Sequence, residues 1–289
     1  MYPQSLEEVR QFYLEFPYIK EDNGSRFYEH AARQLEIVMK IAEGTKNTCA
    51  GMKGLDLGGG FGWAAYRFAL AGAEMTLADY NDSTPSGMGG AQVFADAGVI
   101  FDRVRVDAEA LPFADDQFDF VFCCSFLHHL TDPAKAIAHI GRSLKTGGRF
   151  FAIMEAFCPF WSSRESALSN AHNIEHFTGN GINEQVFYHR EYERWFRNAG
   201  LNFDVINPRW DAVEDCGKVF KNQLLQAEDF LPECLANRKD RQGYGGLAAR
   251  LMLKSRAWKF AARPKIFRFG REILLSGSQK LRILIGEKN

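Results

Sequence analysis

The segment Leu55-Asp56-Leu57-Gly58-Gly59-Gly60-Phe61-Gly62-Trp63 constrains this chain more than any other. A short apolar run ends in alternate glycines, and a second run, Met75 to Ala78, closes on Asp79 about 20 residues further along. Glycine lacks the Cβ that forbids positive φ, so Gly58, Gly60 and Gly62 let the backbone turn sharply and bring its N–H groups against a ligand. Asp79, followed by Tyr80, offers two acceptor oxygens suited to ribose hydroxyls. The order strand, glycine loop, helix, strand and acid is what an adenosine-bearing ligand requires. A pyrophosphate is disfavoured, because the dinucleotide pattern G-x-G-x-x-G/A wants a small residue where Trp63 stands.

Similar alternation continues beyond this unit. Apolar runs of strand length occur at 54–58, 75–80, 104–106, 118–124, 149–154 and 201–206. Between them, helical spacing marks 63–71, a short segment after Pro85, 133–144 and 190–199, the last closing on Gly200. Two more helices, 5–16 and 25–43, precede the first strand. The expected fold is α/β: a doubly wound, mostly parallel, Rossmann-like sheet with N-terminal helices and a C-terminal, helical, basic extension. The corresponding division is an N-terminal helical lid over 1–45, a core over 46–208 with an insertion at about 157–188, and the extension over 209–289. After 201–206 the sequence shows no clear further strand.

At 289 residues and 46% hydrophobic content, the chain can bury a sizeable core. Its opening residues are polar and acidic, and no apolar run approaches the ~18–20 residues that cross a bilayer. Six cysteines without a C-x-x-C pair point to reduced, mostly buried thiols in a cytoplasm. The net charge of −1 hides an asymmetry, for 235–289 carries 14 Lys or Arg against three acids. Arg256, Lys259, Arg263, Lys265, Arg268 and Arg271 interleave there with aromatic and aliphatic residues. Such a tail suits either a cap packed on the acidic body or a peripheral contact with the inner face of a membrane. No nucleic-acid-binding motif accompanies it.

Further motifs sharpen the ligand. Asp107 and Ala108 stand in Val-Asp-Ala-Glu-Ala-Leu-Pro-Phe after the third strand, and Phe118-Asp119-Phe120-Val121-Phe122 leads to Ser125-Phe126-Leu127-His128-His129-Leu130. Lys145-Thr146-Gly147-Gly148-Arg149-Phe150 then reads as a turn into the fifth strand. From about 51 to 204 this succession resembles class I S-adenosylmethionine-dependent methyltransferases, in particular the type 11-like domain. The resemblance implies S-adenosyl-L-methionine as cofactor and S-adenosyl-L-homocysteine as product. It further implies cofactor contacts from Asp56, Gly58, Gly60, Gly62, Asp79, Tyr80, Asp107, Ala108 and Ser125.

Ligands of open sheets bind at the carboxyl ends of strands, which aims the 124–129 loop at the reacting atoms. His128 and His129 are the candidate catalytic residues, since imidazole is a suitable base near neutral pH; closing the strand end by backbone hydrogen bonds is their alternative role. The acceptor is expected along 157–188, where aromatics mix with His172, His176, Asn183 and Glu184. Asn183-Glu184 also resembles bacterial surface-glycan methyltransferases. His172-Asn173-Ile174-Glu175-His176 matches the zinc pattern H-x-x-E-H without other protease features, so no metal is assigned, although divalent assistance of methyl transfer stays open. The expected activity is O-methylation of a small molecule or a saccharide or glycan precursor. A lipid- or quinone-like acceptor at a membrane surface and a non-catalytic cofactor-binding scaffold are the alternatives. Sequence leaves the oligomeric state open.

Overall fold

A computed structural model describes residues 5–13, 25–46, 48–169, 183–206 and 281–289, with positions 251 and 254. The strands are β1 (Lys53–Leu57), β2 (Glu74–Asp79), β3 (Asp102–Arg105), β4 (Phe118–Cys124), β5 (Leu144–Cys158), β6 (Phe187–Tyr188), β7 (Leu201–Ile206) and β8 (Leu281–Lys288). The helices are α1 (Leu6–Tyr13), α2 (Ser25–Glu43), α3 (Trp63–Leu70), α4 (Gln92–Asp96), α5 (Pro133–Ser143), α6 (Arg164–Ser169) and α7 (His189–Asn198).

The sheet runs β3-β2-β1-β4-β5-β8-β7, with β6 paired to β5 off this path. Strands β1 to β5 pair in parallel, as alternating strands and helices dictate, while β8 enters antiparallel between β5 and β7. The chain reverses its direction of travel across the sheet between β1 and β4, which opens a crevice at their carboxyl ends.

Both faces of the sheet are covered, and this explains the consecutive apolar residues of its central strands, such as Phe120–Cys123 and Phe150–Met154. Phe120, Phe122, Phe151, Ile153, Ile283 and Ile285 point to one side, against Phe68 of α3 and Leu35 and Val38 of α2. Val121, Cys123, Phe150, Ala152 and Leu284 point to the other, against Ile137 and Ile140 of α5 and Tyr192 and Phe196 of α7. Each of these large side chains contributes roughly 1.5–3 kcal/mol by leaving water.

Strand β8 corrects the expected core boundary at 208. It lies within the stretch expected to be a helical extension, yet its apolar run Ile283-Leu284-Ile285, buried on both sides, fits the slot between the β5 and β7 edges. Arg149 of β5 donates to Glu287 at 2.9 Å and to the carbonyl of Ile41 at 3.1 Å, tying β8 and the end of α2 together. The remainder of the extension, including the basic tail before 281 except Leu251 and Lys254, lies outside the described residues, as do His172 and His176. Among the described residues no helix is long and apolar enough to cross a membrane.

Candidate active site

The glycine loop leaves β1 with Gly58, Gly60 and Gly62 at φ +67°, +54° and +83°, a region that a side chain makes costly. Gly58 donates its N–H to the carbonyl of Ala78 at 2.7 Å, and Gly60 donates to Asp79 Oδ2 at 2.8 Å. Asp79 Oδ1 accepts from Asn81 N–H at 2.8 Å, so this half-buried carboxylate is held between the β1 and β2 loops. Each oxygen keeps a further lone pair for a ligand. Asp56 lies beneath the loop with its Oδ2 accepting from Ala65 N–H at 2.9 Å in the first turn of α3. Burial pushes its carboxyl up to about 7, against the Ala65 hydrogen bond and with the help of the Asp79 charge. Asp56 thus secures the loop from below.

Asp107 caps the turn Ala108–Ala110 by accepting from Glu109 N–H at 2.8 Å, leaving the carboxylate exposed beside buried Ala108. Tyr80 is exposed, with the Arg105 guanidinium over its ring at 5.1 Å.

Across the crevice, β4 ends at Cys124 and the chain turns at Ser125, whose φ is +51°. The Phe126 ring lies where a Cβ on Gly58 would stand, so the β1 and β4 loops are in direct contact. Beyond it, the short turn Leu127–His129 is anchored by Glu155, a fully buried carboxylate of β5. Glu155 Oε1 accepts from the N–H groups of Phe126 at 3.0 Å and Leu127 at 2.9 Å. Its Oε2 lies 2.7 Å from His128 Nδ1 and accepts from the Tyr192 hydroxyl at 3.3 Å. With Nδ1 protonated towards Glu155, His128 presents Nε2 to Ser125 Oγ at 3.4 Å and to Glu184 Oε1 at 3.9 Å.

His129 Nδ1 lies 2.8 Å from the carbonyl of Asn183 and 3.4 Å from Glu184 Oε2. Asn183 and Gln185 donate their side-chain amides to Leu130 or its neighbour, and Gln185 N–H donates to the carbonyl of His128. These bonds hold the 183–185 segment over the two histidines.

Charge follows this geometry. Burial works against a charged His128, but the Glu155 charge and hydrogen bond, with Glu184 beyond, outweigh it and raise the imidazole. Burial likewise works against an ionised Glu155, yet His128 and the two backbone donors bring its carboxyl below the ordinary range. For His129, burial and then the His128 charge hold the ring down, towards the neutral form. Burial raises Glu184. The thiols of Cys123 and Cys124 are pushed well up by burial, which leaves them inert.

Residues 55–152 match a family model described as a methyltransferase domain. They form a class I S-adenosylmethionine-dependent methyltransferase domain. The ubiquinone/menaquinone biosynthesis C-methyltransferase UbiE of Shewanella halifaxensis is 39% identical to this chain over 108 residues, which are 36% of this chain and 42% of that protein. The chain therefore spans about two-fifths of the length of the curated relatives it matches. Among solved structures, a geranyl diphosphate methyltransferase in complex with S-adenosylmethionine aligns at TM-score 0.54 and 14% identity, covering 96% of this chain and 94% of its own. The [4+2]-cyclase SpnF aligns at TM-score 0.53 and 21% identity, covering 95% of this chain and 84% of its own. These two show that the methyltransferase fold is shared, and SpnF shows that one fold carries different named activities.

The methyltransferase domain brings Asp79, the glycines, Ser125 and His128 to one crevice, and it adds Asn183 and Glu184 from outside the matched segment. Sequence reasoning missed Glu155, Gln34 and Gln185. A signal existed for Glu155, as a lone acid within the apolar run Phe150 to Cys158. Gln34 had none, because a single amide on a helix face is unremarkable until its partner is known.

Proposed function

We propose that this chain transfers a methyl group from S-adenosylmethionine to an acceptor held at His128, His129 and Glu184. The observation that carries this reading is the meeting, at the carboxyl ends of β1, β2 and β4, of the positive-φ glycine loop, the Asp79 carboxylate and the Glu155-anchored His128 turn. The loop fits such a cofactor: its backbone is free of Cβ atoms at the approach, and Asp79 is pre-oriented by two N–H groups. Asp79 would hold the ribose hydroxyls and Asp107 the adenine amino group, with Tyr80 and Ala108 alongside. Gly58, Gly60 and Ser125 would face the rest of the ligand, while Asp56 keeps the loop and Gly62 the helix start in place.

The bound sulfonium supplies an activated methyl group. What remains for the protein is alignment of acceptor, methyl carbon and sulfur, and control of the acceptor's proton. His128 and His129 are placed for the second task, and a hydroxyl needs it most. This favours O-methylation of a hydroxylated small molecule or a saccharide or glycan precursor. Carbon methylation of a quinone-like acceptor is the second reading, favoured by the UbiE relatives. A scaffold that binds the cofactor without methylating is the third.

Calorimetry with S-adenosylmethionine on the wild type and Asp79→Ala tests the cofactor assignment; equal affinities would overturn it. Transfer of labelled methyl to hydroxylated saccharides and to quinols, with the methylated atom located by NMR, separates the acceptor readings. Cofactor binding with no transfer to either class favours the scaffold.

A further inference from the structure

The His128, His129 and Glu184 cluster has a property that a simple proton-transfer site does not need. A ring nitrogen of each histidine and a carboxylate oxygen of Glu184 all lie within 4.8 Å of one another. His128 Nε2 lies 3.9 Å from Glu184 Oε1, too far for a hydrogen bond. An ion with ligand bonds of about 2.0–2.2 Å sets its ligand atoms roughly 3–3.6 Å apart, so this gap is only slightly wider than the edge of a coordination shell.

The proton inventory agrees. His128 Nδ1 is directed to Glu155 at 2.7 Å and His129 Nδ1 to the Asn183 carbonyl at 2.8 Å, which leaves Nε2 of each ring as the nitrogen that can ligate. Glu184 Oε2 is buried without a hydrogen-bond partner. A buried carboxylate oxygen left so is costly, and in a native site it signals an ion or water that completes it. The contact between His128 Nδ1 and the buried Glu155 is also the outer-shell bond that orients a metal-ligating imidazole.

We propose that His128, His129 and Glu184 bind one divalent cation of the borderline class, such as zinc, iron(II) or cobalt(II). Two imidazole nitrogens and one carboxylate select this class over magnesium or calcium, which take oxygen shells. Three protein ligands leave open positions, which an oxygen of the acceptor can fill. In its role the proposal deepens the acceptor site described above and rests on that reading; as a binding site it stands separately. The ion, rather than a free imidazole, then draws on the acceptor's oxygen. The ligands come from two segments, His129 and Glu184 being 184 − 129 = 55 residues apart, and neither His172 nor His176 is required.

The test is titration of the full chain, stripped with EDTA and desalted, with cobalt(II) followed by visible absorption. One equivalent should bind and give d–d bands that zinc abolishes by competition. His129→Gln and Glu184→Gln should each weaken cobalt binding at least about tenfold, with far-UV circular dichroism unchanged. Glu184→Gln is near-isosteric at a partly exposed position, and the wild-type titration is decisive by itself. Absence of saturable binding, affinity unchanged in both variants, or a strong thiolate-to-cobalt band would overturn the site. Calorimetry with S-adenosylhomocysteine in EDTA keeps the two readings apart. Nucleoside binding without cobalt binding removes the metal and spares the methyltransferase reading, whereas cobalt binding alone supports the metal and removes the nucleoside.

Discussion

Asp56 carries the clearest single-residue consequence. Its carboxyl is raised from 3.8 to about 7 because burial disfavours the charge more than Ala65 N–H favours it. The folded state therefore binds this proton more tightly than the unfolded chain. Between about pH 4 and 7 the contribution of Asp56 to stability falls as pH rises, by a few kcal/mol at most. Asp56→Asn keeps an acceptor for Ala65 and has no proton to lose. Urea denaturation of both proteins should show the variant gaining on the wild type from pH 5 to pH 8; a constant difference would contradict an elevated Asp56. Gly58 makes a second case, since Gly58→Ala places a Cβ at φ +67° and into the Phe126 ring. A loss of at least about 1–2 kcal/mol is expected in the same assay, with weaker binding of S-adenosylhomocysteine.

Helices and strands differ in how openly they show in the sequence. Helix α2 is legible over its full length, because apolar residues recur at 3.6-residue spacing from Ala31 to Ile41. Strand β4 is equally plain, its residues Phe120–Cys124 being an unbroken apolar run. Strand β8 is not, since its place depends on two edges, β5 and β7, that come together only in the folded sheet. The β5 strand hides its own irregularity: pairing with β8 shifts register between Ala152 and Glu155, and Met154 takes φ +62° there. Gln34 of α2 holds that bulge, accepting from Met154 N–H at 3.0 Å and donating to its sulfur at 3.2 Å. Gln34→Ala leaves a buried N–H unpaired next to Glu155. A destabilisation of roughly 1–3 kcal/mol by urea melts is the expected outcome.

For the whole molecule, the crevice joins segments that would otherwise separate, namely the β1, β2 and β4 loops and the 183–185 strap. A ligand that binds only this assembled state stabilises it by mass action. S-adenosylhomocysteine at about 100 times its Kd should add roughly 2.7 kcal/mol, seen as a concentration-dependent rise in Tm. Asp79→Ala should abolish the rise, and a rise that persists would remove Asp79 from the site. The sequence by itself determined the alternation of strands and helices, the glycine loop and its acid, because these are local: periodicity and φ preference are written in neighbouring residues. Only the tertiary structure decided that Glu155 anchors His128, that Glu184 closes over both histidines, and that the chain's last strand completes the sheet. Each of these joins residues far apart in the chain, and a buried charge or an inserted strand is stable only when its distant partners are already in place.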